Sequence, residues 1–192
     1  VMRVTAMSKN QITEGVIWKQ LLFFFFPILL GTLFQQLYNT ADTVVVGRFV
    51  GTQALAAVGG STGQIVNLVV NFFVGLASGA TVIIARYYGA RDRIKLNNAL
   101  HTAIALSIVG GIVTGIAGIL LTPSLLKMMN TPADVIEGST MYLRIYFAGI
   151  IFVFVYNIGS GILRAVGDSK RPLYFLIVCC FLNIFLDILF VV

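Results

Sequence analysis

The chain has 192 residues, of which 58% are hydrophobic and only 10% charged, with a mean hydropathy of +0.96. A soluble domain carries about 25% charged residues, so this composition excludes a water-soluble enzyme or binding module and identifies an integral membrane protein. The formal charge of +6 would suit nucleic acid, but the cations border apolar stretches instead of forming one basic face, which makes the lipid bilayer the partner and not a nucleic acid.

Apolar stretches run over 21–46, 65–85, 100–121, 142–163 and 173–192, each close to the ~20 residues a helix needs to cross a bilayer. With their flanks they predict helices at about 17–46, 52–85, 95–121, 133–164 and 171–192, behind a cytoplasmic tail at 1–16. None has the dyad alternation of a barrel strand, and helices satisfy their own backbone in lipid, so the fold class is all-α, a polytopic membrane helix bundle. The first span lacks a small-residue cleavage site and is retained. Met7 followed by Ser8, Lys9 and Asn10 reads as a natural start, and the apolar end at Phe190, Val191 and Val192 reads as a chain truncated within or just after span 5.

Charges orient the bundle. Ten of the Lys and Arg residues fall before span 1, between spans 2 and 3 and between spans 4 and 5, whereas Arg48, Lys127 and Arg144 fall on the other side with Asp134 and Glu137. The positive-inside rule therefore puts the N-terminus in the cytoplasm.

In span 1, Trp18 beside Lys19 reads as an interfacial anchor, and Pro27, about two turns further in, predicts a kink or hinge. Gln35, Asn39 and Asp42 lie at i, i+4 and i+7 on one face, with Tyr38 beside them. Gly47 and Gly51 read as breakers. In span 2, Gln64, Asn67 and Asn71 repeat that stripe, read slightly in favour of helix-to-helix hydrogen bonds and otherwise as cavity lining with Gln35, Tyr38 and Asn39. Gly75 and Gly79, and Gly110, Gly111, Gly115 and Gly118 in span 3, read as close helix packing. His101 reads as a headgroup-level residue. Thr131-Pro132 predicts an N-cap followed by proline at the first helical position. Cys179 and Cys180 are neighbours on a helix, so they read as packing residues without a mutual disulfide or metal site. Asn183 and Asp187 stand one turn apart in span 5.

Asp42 and Asp187 are the residues that most need explaining, because a carboxylate at mid-membrane costs roughly 2.5–3.5 kcal/mol on insertion scales. Neutral amides could join helices without that cost. Each aspartate lies fifteen residues beyond a proline, Pro27 or Pro172, so each sits roughly 22 Å beyond its proline, on helices that both start at the cytoplasmic side. At equal depth they can share one cavity, where facing carboxylates titrate as a coupled pair and hold a proton or a small cation. Asn183, Asn157 and Ser160 would add neutral oxygens, a set that suits sodium at Asp42, Asp187 and Asn183. There is no H-E-x-x-H, Walker loop or G-x-S-x-G elbow, which argues against an enzyme and against ATP coupling. No cofactor is expected beyond the coupling ion, H+ or Na+.

Pro27, the run Gln35-Gln36-Leu37-Tyr38-Asn39-Thr40-Ala41-Asp42, Val46-Gly47, Leu55-Ala56-Ala57, Tyr88-Gly89-Ala90-Arg91-Asp92, the run 163–172 and Asn183 with Leu186-Asp187 together resemble multidrug and toxic compound extrusion (MATE) transporters over nearly the whole chain. The resemblance implies five helices of a six-helix N-terminal lobe, with the C-terminal lobe of the same protein as its partner. It implies export of drugs or other organic cations across a bacterial or archaeal inner membrane in exchange for protons or sodium. Asp42, Asn183 and Asp187 match a cation or proton site in the N-terminal lobe, and Pro27 matches the place where protonation is proposed to bend helix 1. The helix 4 asparagine of that site falls at Ser160, with Asn157 one turn earlier, and the helix 6 contribution falls beyond Val192.

Two other functions compete. A flippase for lipid-linked saccharides would share the superfold but line its cavity with cations, and here only Arg144, near a helix end, could serve. A non-transporting structural protein would use the acids for packing and tolerate their loss.

Overall fold

The computed structural model describes residues 17–191; the expected tail at 1–16, the start at Met7 and the last residue lie outside the described residues. Helix α1 (Ile17–Val45) continues through a π-helical turn (Val46–Val50) and is followed by α2 (Thr52–Gly59), α3 (Ser61–Gly89), α4 (Arg93–Met128), α5 (Ile136–Ala165) and α6 (Lys170–Val191). These form five helical stretches long and apolar enough to cross a membrane, α2 and α3 together making one.

Several expected boundaries move, for local reasons. Gly47 does not end span 1: the chain widens into a π turn, with the Gly51 N–H donating to the Val46 carbonyl at 3.1 Å, and stops at Gly51, whose φ of +107° suits a residue without a Cβ. Span 2 is interrupted at Gly60. Span 3 extends to Met128 through Pro123, well past the apolar run. Thr131 does not cap α5. Its hydroxyl is buried without a partner, the Pro132 carbonyl accepts from Val135 and Ile136, and the helix begins only at Ile136.

At the other end of the bundle, Asp92 caps α4 by accepting from the Lys95 N–H at 3.0 Å. That bond holds the Asp92 carboxyl below the usual carboxylate range. A depressed folded value means the cap contributes stability above the unfolded pKa and loses it as pH falls through the folded one. Asp92→Ala is expected to speed amide exchange over residues 93–96 at neutral pH, and wild type should show the same loss only on acidification; identical exchange in both proteins at neutral pH would exclude the cap.

The core lies in α3, α4 and α5. Ile65, Leu126, Leu143, Phe147, Ile150 and Phe154 form one buried cluster and Ala77, Ile84, Ala103 and Ile158 another. Phe73 of α3 stacks on Phe154 of α5, and buried Ser139 donates to the Ala57 carbonyl at 3.0 Å, tying α5 to α2. Gly111, Gly115 and Gly118 form the α4 surface on which Ile151 and Phe147 of α5 rest. Gly75 and Gly79 behave differently, since a Cβ at either would meet nothing within 4 Å. Their expected packing role is therefore corrected: spacing alone does not say which way a glycine face points.

Helices α1 and α6 pack on one another and join the other three through α5, α2 and the π turn. Gly31 of α1 faces Leu173 and Leu176 of α6. Cys180 is buried at this seam, its thiol 4.0 Å from the Phe34 carbonyl, whereas Cys179 is exposed; both are free, so the packing role holds for Cys180 alone. His101 bonds within α4 to the Asn97 carbonyl at 2.8 Å, and Lys19 lies over the Trp18 ring at 5.6 Å.

Candidate functional site

The seam between α1 and α6 brings the two spans' acids together. Asp42 of α1 and Asp187 of α6 are both half-buried and lie within electrostatic reach of one another. Tyr38, one turn below Asp42, feels both carboxylates. Oδ2 of Asp187 and Oδ1 of Asn183 are buried with no hydrogen-bond partner. Unpaired buried oxygens of this kind are costly unless something they bind offsets the loss of water. Two carboxylates and an amide oxygen suit a proton or a hard cation such as sodium, and among the described residues no group of three His, Cys, Asp or Glu forms a transition-metal site.

The third wall comes from α5 and was not expected from sequence. Tyr142 lies within electrostatic reach of Asp42 and Tyr38, and Tyr146 within reach of Tyr142 and Tyr38. The two rings stack with centroids 6.4 Å apart. Their spacing of four was visible in the sequence, but tyrosine reads as apolar or interfacial in a membrane span, so no polar stripe stood out.

Asn157 and Ser160 do not join this cluster. They line a separate cavity of about 130 Å³, with Pro27, Thr32 and Gln35 of α1 and Ser169 at the start of α6. Asn157 is fifteen residues along α5 from Tyr142, roughly 22 Å by helical rise. Asn157 donates to the Val153 carbonyl at 2.9 Å, and Ser160 is buried. The expected five-residue set thus divides into an upper acid pair with Asn183 and a lower polar chamber beside the proline, for a geometric reason: α5 runs antiparallel to α1 and α6, so its polar positions near the C-terminal end meet their starts.

Pro27 sits inside α1 and not in its first turn. It cannot donate to the Phe23 carbonyl, so a backbone acceptor is left open there. Gln35 and Asn39 are exposed, Asn39 contacting Gln36 at 3.4 Å. Gln64, Asn67 and Asn71 are all exposed on α3, and no hydrogen bond among the described residues carries their side chains to another helix, so the helix-joining role weighed for them is not seen.

The MatE family model matches residues 27–189. This chain belongs to the MATE family. Among its relatives, the probable multidrug resistance protein YpnP of Bacillus subtilis is 35% identical over 96% of this chain and 41% of its own length. The probable multidrug resistance protein YoeA of the same organism is 34% identical over 88% of this chain and 36% of its own length. A solved MATE structure in the straight conformation superposes with a TM-score of 0.86 at 31% identity, covering 95% of this chain and 40% of that one. The chain therefore spans about two fifths of the MATE proteins it matches. The match places the all-α bundle in a family of membrane transporters.

Proposed function

We propose that this chain forms part of a cation-coupled antiporter that exports drugs or other organic cations across the cell's inner membrane, with its N-terminus in the cytoplasm. The observation that carries this reading is the acid pair: Asp42 and Asp187 in mutual reach, with unpaired oxygens on Asp187 and Asn183. Two acids in one partly buried seam hold a single proton or sodium ion more easily than two separate charges. Gaining or losing that cation changes what α1 faces, and rocking of one lobe against the other then alternates access. The names of the relatives, multidrug resistance proteins, support the substrate class.

The test is dye efflux by the full-length parent in everted vesicles under an imposed proton gradient or an imposed sodium gradient. Efflux driven by one gradient and collapsed by its dissipation is expected; efflux indifferent to both would defeat antiport. For topology, an epitope inserted between Ala90 and Arg91 should be reached by antibody in everted vesicles and protected in right-side-out ones, and the reverse pattern would invert the orientation.

Pro27 gives a further expectation. Pro27→Ala restores a donor to the Phe23 carbonyl and straightens the local energetics of α1, so we expect unchanged or higher thermal stability with slower efflux. Unchanged turnover would remove any hinge role from this residue.

A further inference from the structure

A groove of about 610 Å³ runs between α3 and α4 and shares no lining residue with the acid pair. Its floor exists because Gly75 and Gly79 carry no side chain and nothing from the rest of the bundle fills the space above them. Ile83 of α3 and Ala103 and Leu106 of α4 form apolar walls. Toward the loop at 90–92 the lining turns polar, through Asn98 to Lys95.

The length decides what such a slot fits. From Leu106 to Lys95 is eleven residues of α4, about 16 Å by helical rise, which is the depth of one leaflet of a ~30 Å hydrocarbon core. The charges decide the rest. Arg86 does not itself line the groove, but it follows Gly79 and Ile83 at i+7 and i+3, which puts it on the same face of α3 one turn beyond Ile83. Arg86, Arg91, Arg93 and Lys95 are all exposed at this end, four cations against the single carboxylate of Asp92. Asp92 meets Lys95 at 3.3 Å, and the three donors of an ammonium leave Lys95 able to contact an anion as well. Asn98 offers an amide donor one turn deeper than Lys95.

From this gradient we infer that the α3 and α4 groove binds one anionic phospholipid, with an acyl chain over Gly75 and Gly79, the ester region at Asn98 and the phosphate between Lys95 and Arg86. Basic pockets between membrane helices recognise anionic headgroups in this way. Assigning the lipid to the cytoplasmic leaflet rests on the topology proposed above, which the epitope test reads separately. The binding itself requires only that the basic end lie at a membrane surface, so a failure of either reading leaves the other measurable.

The experiment uses the full-length protein in phosphatidylcholine bilayers containing a trace of chain-labelled phosphatidylglycerol or chain-labelled phosphatidylcholine, with the motionally restricted fraction read by electron paramagnetic resonance. Wild type is expected to prefer phosphatidylglycerol by about fivefold for each cation that reaches the phosphate. The double variant Lys95→Gln with Arg86→Gln should lose that preference, whereas Lys95→Arg should keep it. Gly79→Leu, built into open space, should reduce the restricted population of both lipids without lowering the thermal midpoint. Equal affinity for the two lipids in wild type, or a preference untouched by the double variant, would overturn the site. So would Gly79→Leu destabilising the full-length protein, because it would mean that a protein segment and not a lipid fills the groove.

Discussion

Asp42→Asn in the full-length protein is expected to reduce ion-coupled efflux to the level of vesicles that lack the transporter, at normal membrane abundance. Asparagine keeps the volume and the hydrogen-bonding capacity of the side chain, and Asp42 is only half-buried, so insertion and packing should survive. What disappears is the ability to exchange a proton or bind a cation as a carboxylate. With Asp42 neutral, the seam keeps one carboxylate in place of two, and the arrangement that would hold a single cation between them is lost. Asp187→Asn should have the same effect by the same logic. Unchanged coupling in both acid variants would make these aspartates structural and move the coupling site to a part of the protein beyond this chain.

The contrast between the residues anticipated at that site and those found there follows from how membrane helices are encoded. Equal depth of Asp42 and Asp187 was readable from sequence because helical rise is constant, and the antiparallel order of the spans was readable from the cations. Rotation about each helix axis was not. Lipid and bundle interior are both apolar, so a membrane helix need not advertise its buried side. That is why sequence alone groups Asn157 and Ser160 with the acids although they lie in the chamber beside Pro27, why it gives no sign of Tyr142 and Tyr146, and why Gln64, Asn67 and Asn71 suit helix-joining on paper although they are exposed. The π turn at Val46–Val50 escaped for a different reason. Gly47 carries the same signal whether it ends a helix or lets one widen, and the difference depends on contacts with α2 and α6.

The glycines show the same limit most sharply, and they carry the second strong expectation. Gly115→Ala should lower the thermal midpoint in detergent, while Gly79→Ala should leave it unchanged or raise it. In an isolated helix both changes favour the folded state, since alanine exceeds glycine by about 1 kcal/mol in helix propensity. At Gly115 an added Cβ would stand 2.9 Å from the Phe147 carbonyl oxygen. That atom is backbone and cannot swing aside, so α4 and α5 would have to separate. Overpacking of this kind costs about 1–3 kcal/mol, enough to outweigh the propensity gain, and between membrane helices it removes close packing itself, which is a main force holding them together. The same holds at Gly111, 2.9 Å from Ile151 Cα by the same construction. Because α5 also carries Tyr142 and Tyr146 to the acid pair, a shift of α5 away from α4 should slow efflux together with the loss of stability. A midpoint for Gly115→Ala as high as that for Gly79→Ala would mean that α4 and α5 do not meet on this face, and the tyrosine wall of the site would have to be placed anew.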